Sequence, residues 1–181
     1  MKKIASVIVL SVIVNQCMAQ PLEAEELLDM LTCNDYACIS GKVIPLGYEV
    51  ALNKETAGYQ TYTFTSKTVY QNESNNKIMK PYKVNFTDHT EDSAITLNYV
   101  IGDKVNREML LAAFKELGFR YDHATKTKST FDNTATVYKS ERYPGWVLKV
   151  TNYDKREGRH THYLDYDFEL WRFTGKRNIY K

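Results

Sequence analysis

Glycine is thin in this chain, eight among 181 residues, and no glycine-rich phosphate loop can be built from them. A Gly-x-Ser-x-Gly nucleophile elbow and a His-Glu-x-x-His metal motif are missing too, so the common hydrolase signatures are excluded. No cofactor motif replaces them. An excess of one charge is also missing: 24 Lys and Arg stand against 22 Asp and Glu, with no basic stripe. A nucleic-acid partner is therefore not expected. After residue 19 no apolar run is long enough to cross a bilayer. Cysteine is down to three, and Cys33 and Cys38 lack the Cys-x-x-Cys spacing of a redox pair.

Residues 1–19 have the parts of a secretory signal peptide: Lys2 and Lys3, the apolar run Ile4–Val14, then Cys17-Met18-Ala19 before the cut. Pro21 disfavours cleavage one bond later, so the mature chain is expected to start at Gln20. Acylation of Cys17 as a lipoprotein is the alternative. Losing Lys2 and Lys3 brings basic and acidic residues into balance. In an exported chain the remaining even pair, Cys33 and Cys38, reads as a disulfide. Five residues of continuous helix rise about 7.5 Å, beyond disulfide reach, so the helix must break between them, at Asn34-Asp35. This predicts one helix over about 22–32, a tight stapled turn, and a second helix over about 36–44.

Asp103–Arg120 is the strongest helical stretch. Leu110, Ala113, Phe114 and Leu117 fall at i, i+3, i+4 and i+7 on one stripe. Gly118 is placed as the left-handed stop, with Phe119 folding back onto Phe114. Leu46-Gly47-Tyr48 echoes Leu117-Gly118-Phe119. Each is followed by residues of period two, which suggests two copies of one unit. In the first, strands are expected over 48–52, 59–70, 78–87 and 94–101. In the second they are expected over 119–124, 134–142, 146–153 and 160–173. Tyr62, Phe64, Val84, Phe86, Leu97, Tyr99, Leu148, Val150, Leu164, Phe168 and Leu170 point to the core side.

The fold expected is α+β: helices on one face of an antiparallel sheet, as two tandem helix-plus-four-strand repeats over residues 20–103 and 104–181, packed as one compact unit. This element order, with a disulfide near the first helix, resembles the tandem-repeat architecture of the secreted β-lactamase-inhibitor family. The resemblance implies a fold; no motif accompanies it, so it transfers no functional residue.

Three groups have chemistry to offer. His160 and His162 share one side of a strand at a spacing seen in metal sites, but no third ligand is nearby in sequence, and no metal site is expected. Asp165, Asp167 and Glu169 share the other side, at the separation of a paired acid and base. A solvated acidic row opposite Lys149 or Lys139 is the plainer reading. Tyr153, Tyr163 and Trp171 fall on the side away from the core, where large aromatics serve as binding anchors. The expectation is a non-catalytic exported domain that binds a protein or cell-envelope component through Tyr153, Tyr163 and Trp171. The alternative is a hydrolase-like or metal-dependent enzyme using Asp165/Asp167/Glu169 or His160/His162.

Overall fold

The structure is a computed structural model and describes residues 21–66, 68–71, 77–80, 82–89, 93–102, 104–126, 134–157 and 161–173. For 68–71, 77–80, 153–157 and 161–165 it describes the backbone alone. The expected leader, with Cys17, lies outside the described residues.

Helices α1 (Ala24–Leu31) and α2 (Tyr36–Val43) come first, followed by a 3-10 turn, Ile44–Leu46. Glu23 and Glu26 form a capping box at the start of α1. Asp35 caps α2 by accepting the Cys38 N–H at 2.8 Å. Between the helices Cys33 and Cys38 are bonded, with Cα atoms 5.5 Å apart. The chain breaks where the staple requires it to break. Helix α3 (Lys104–Glu116) ends at Gly118, whose φ of +94° is the left-handed stop. Phe119 then meets Phe114 edge to face at 5.5 Å. Gly47 has φ +86°, so the echo in sequence is an echo in backbone.

Among the described residues there are ten strands: β1 (Glu49–Thr56), β2 (Tyr59–Thr65), β3 (Thr68–Gln71), β4 (Lys77–Lys80), β5 (Lys83–His89), β6 (Ala94–Ile101), β7 (Phe119–Lys126), β8 (Thr134–Ser140), β9 (Trp146–Glu157) and β10 (Thr161–Phe173). Eight of them make one antiparallel sheet in the order β1-β2-β5-β6-β10-β9-β8-β7. The order reads outward alike from the central β6–β10 pair, where Ile101 faces Tyr166 at one end and Ala94 faces Phe173 at the other.

Two expected strands, 59–70 and 78–87, are each broken in two. The pairing explains the breaks. The β2–β5 ladder reaches Thr65↔Lys83, where β1 has ended at Glu49 and β6 is running out at Ile101. Beyond that point no third strand among the described residues supports the hairpin, and β3 and β4 continue as a separate two-stranded ribbon. The β9–β10 hairpin behaves similarly. Its neighbours stop at Ala135↔Thr151 and Ile101↔Tyr166, yet it continues to Glu157↔Thr161. Both ribbons leave from the Ile101 end of the sheet.

One face of the sheet holds the core. Phe64, Phe86, Leu97, Tyr99, Leu148, Phe168 and Leu170 are fully buried and join Leu27, Leu31, Ile39 and Phe114 in a single cluster. The Phe114 ring stacks on Phe168 at 6.1 Å. The hydroxyls of two buried tyrosines in this core are paired with each other. Tyr99 OH accepts the Leu22 N–H at 3.0 Å and meets Tyr48 OH at 3.4 Å. Burial raises both hydroxyls above the ordinary tyrosine range, chiefly by desolvating the phenolate. Asn106 Nδ2 donates to Tyr82 OH at 3.2 Å and so ties α3 to the residue that precedes β5.

Candidate functional site

The opposite face is the candidate. Register puts Lys83, Asn85, Thr87 and His89 of β5, Ala94, Thr96 and Asn98 of β6, and Asp167, Glu169, Trp171 and Phe173 of β10 on it together. Thr61 and Thr63 of β2 and Val147, Lys149 and Thr151 of β9 extend it sideways.

A hydrogen-bonded ladder crosses its middle. Thr63 Oγ1 donates to Asn85 Oδ1 at 2.8 Å, Asn85 Nδ2 to Asn98 Oδ1 at 3.1 Å, and Asn98 Nδ2 to Asp167 Oδ1 at 2.5 Å. Four strands are thus tied by side chains as well as by backbone. Asp167 is half-buried, and its carboxyl is pushed up to about 6. Desolvation is the largest cause; the Asn98 hydrogen bond works against it, and the nearby Glu169 charge adds to it. Glu169 itself accepts from Lys149 at 2.8 Å and from Trp171 Nε1 at 2.7 Å. The Lys149–Glu169 pair is a directly opposed cross-strand pair, worth roughly 0.2–1 kcal/mol.

An aromatic strip lies beside the ladder, at the end of the sheet away from the ribbons. Trp171 stacks on Phe173 at 5.8 Å along β10 and on His89 at 5.3 Å across β6. Tyr59, at the start of β2, meets His89 at 6.2 Å. His89 Nε2 is 3.1 Å from Thr96 Oγ1. The strip has a simple cause. Ala94 and Thr96 of β6 are small, so rings from β5 and β10 close over them, and both are buried. Val147, Val137, Ala135 and Thr151 are buried on this face as well. The face is less wet than its threonine, lysine and acid pattern suggests, because long side chains lie over short ones.

Of the expected anchors, Trp171 is half-buried within this strip. Tyr153 and Tyr163 are placed by backbone alone. Register gives them the same face as Trp171, but on the β9–β10 ribbon. Tyr163 and Trp171 are eight residues apart along one strand, about 26 Å, so the three do not form one patch. Trp171 is grouped instead with His89, Tyr59 and Phe173, which the sequence reading passed over. No periodicity could reveal that grouping, since it depends on the register of β5 and β6 against β10.

Asp167 and Glu169 share the face, as alternation requires; the Asp165 side chain lies outside the described residues. His160 also lies outside them, and His162 is described by backbone only. Among the described residues no three His, Cys, Asp or Glu side chains gather as a metal-ligand set. No helix among them is long and apolar enough to cross a membrane. No family model, curated protein or solved structure matches this chain.

Proposed function

We propose that this chain is an exported, non-catalytic binding protein that presents the face opposite its core to a protein partner. The observation that carries the reading is the strip Tyr59–His89–Trp171–Phe173 on that face. Large rings there are not needed to fill the core. Their geometry also favours a class of partner. Trp171 stacks on both Phe173 and His89, beside the amide and carboxylate groups of the ladder. A mixed strip of aromatic, amide and carboxylate groups suits the side chains and backbone of a protein. Tyr153 and Tyr163, on the ribbon, would extend contact along the same face.

Export rests on the leader composition and on the Cys33–Cys38 bond, which belongs to an oxidising compartment. We also read the chain as two helix-plus-four-strand units, 20–103 and 104–181, with their helices on the core face. The outward symmetry of the strand order and the paired left-handed stops at Gly47 and Gly118 support this.

The enzyme alternative draws on the raised carboxyl of Asp167. Against it, Asp167 is a rung of the ladder and Glu169 already accepts from Lys149 and Trp171. Carboxylates so engaged act as structural groups.

A photo-crosslinking side chain at position 59 tests the reading, with the same group at exposed Val105 on α3 as control. Crosslinking to one defined protein from position 59 and not from 105 is expected. Tyr59→Ala should reduce capture of that protein about tenfold, equivalent to about 1.4 kcal/mol. Equal yields from both positions would refute the assignment of this face.

A further inference from the structure

The stapled turn and the aromatic strip lie on opposite faces of the same strand end. On β10, Trp171 and Phe173 point to the strip, and Arg172 between them points to the helices. Its Nη2 donates to Cys33 O at 3.0 Å and to Asn34 Oδ1 at 2.6 Å, and Thr32 O is 3.5 Å away. These groups follow the C-terminal end of α1, whose last turn has no basic residue of its own. A cation 139 positions away in sequence supplies what that end requires. Arg172 Nε is shut off from solvent and has no acceptor among the described residues. The hydrogen bonding of the guanidinium therefore goes to the oxygens of the turn. The Cys33–Cys38 bond closes that turn and keeps those oxygens together. Cys33 is buried and Cys38 half-buried.

A side chain that anchors a strand end from one face also positions its two neighbours on the other. Without the bond, Cys33 and Asn34 are no longer tied to α2, and the oxygens around Arg172 separate. A half-buried guanidinium then loses its acceptors, which costs more than the same loss in water. It regains partners by turning toward solvent, and that turn pulls on the backbone between Trp171 and Phe173. We propose that the Cys33–Cys38 bond controls the aromatic strip: with the bond closed, Arg172 holds the end of β10 and Trp171 stays stacked on Phe173 and His89; with it open, the strip loosens. The step is thiol–disulfide exchange, in which a dithiol is oxidised to its own disulfide and the protein bond is reduced to two cysteine thiols. Phe173 N–H donates to Gly145 O at 3.2 Å, which keeps the strand end paired and confines the change to its side chains. As regulation of partner binding, the device rests on the reading of that face given above; as a coupling within the protein, it does not.

NMR of the full-length protein, before and after treatment with dithiothreitol, tests the proposal. The readouts are the Trp171 indole N–H, which donates to Glu169 Oε1 at 2.7 Å, and the backbone amides of Phe173 and His89. Val137 and Tyr138 on β8 are the controls for a change of the whole sheet. Reduction is expected to shift or broaden the readouts and to leave the controls in place. The double variant Cys33→Ser, Cys38→Ser should show the same pattern without reductant, which covers a bond too shielded for dithiothreitol. Arg172→Gln should reproduce the pattern in the oxidised protein and abolish the further response to reduction. Arg172→Lys should recover only part of the wild-type state, because an ammonium lacks the planar fork. Crosslinking from position 59 should fall about fivefold on reduction. An unmoved Trp171 indole in the double variant, equal disturbance of Val137 and Tyr138, a full redox response in Arg172→Gln, or equal crosslinking in the two states would each overturn the proposal. Crosslinking in neither state, with the NMR response intact, would refute the partner reading alone and uphold the coupling.

Discussion

Asp167 shows how much a single position depends on its neighbours. As one of three alternating acids it looks solvated, yet in the fold it ends a side-chain ladder and its carboxyl rises to about 6. The sign of the consequence follows from linkage. Between about pH 4 and 6 the folded state binds the proton more tightly than the unfolded chain, so stability falls as pH rises through that window. Above about pH 6 the charged, desolvated form is a net cost. Asp167→Asn keeps an acceptor for Asn98 and removes that charge. It is expected to raise unfolding free energy by about 1–2 kcal/mol at pH 7.5 and to change nothing at pH 4. Denaturant melts at the two pH values check this; destabilisation at pH 7.5 would mean that the charge strengthens the ladder. Arg172 is another residue whose neighbours decide its role. From β10 its Nη2 donates to Cys33 O at 3.0 Å and Asn34 Oδ1 at 2.6 Å, so the stapled turn is docked onto the sheet.

Among the elements, the helices end where their chemistry says they should, and two glycines separate conformation from space. Gly118 has φ +94°, and an added Cβ would meet only Ser140 Oγ at 3.5 Å and Arg142 Cβ at 3.9 Å. The obstacle to a side chain there is the backbone, not crowding. Gly41 sits inside α2, with nothing within 4 Å of an added Cβ. Gly118→Ala should therefore destabilise by about 1 kcal/mol or more, and Gly41→Ala should stabilise by about 0.5–1 kcal/mol. Thermal melts of the two variants should move in opposite directions; a shared direction would contradict the argument. The edge strands show a different local device. β1 is irregular between Val50 and Leu52, and β7 between Tyr121 and His123. Irregular pairing at both rims makes the exposed edges poor templates for another strand.

For the whole molecule the decisive feature is the β6–β10 junction. It joins β6 to β10, and Leu97, Tyr99, Phe168 and Leu170 beside it have no exposed surface. One core cluster runs through residues on either side of it in the sheet, from Leu22 to Leu170. The strands on one side of the junction cannot be released without uncovering that cluster and breaking the central ladder. A single unfolding transition is expected, coincident by circular dichroism and by fluorescence of Trp146 and Trp171. Two separated transitions would show that the strands on the two sides of the junction unfold independently. Reduction of the disulfide should shift this transition without splitting it; the five-residue separation gives a loop-closure contribution of about 2 kcal/mol.

Local rules acting on the sequence determined a good deal by themselves. The stapled break at Asn34-Asp35, the stop at Gly118, the α+β class and the inward set Tyr62, Phe64, Phe86, Leu97 and Phe168 depend only on near neighbours in the chain. Helical stripe, strand alternation and disulfide reach are short-range properties, and they were legible. The ends of the strands were not. Ser66 interrupts one expected strand because β1 and β6 stop supporting its hairpin, and β9 outruns residue 153 because β10 continues beside it. Nor was the candidate site. His89 and Tyr59 join Trp171, and Tyr153 and Tyr163 do not, because a strand's partners are set by register across the sheet. Register is fixed by burial of the whole core face at once, and no segment carries that information alone.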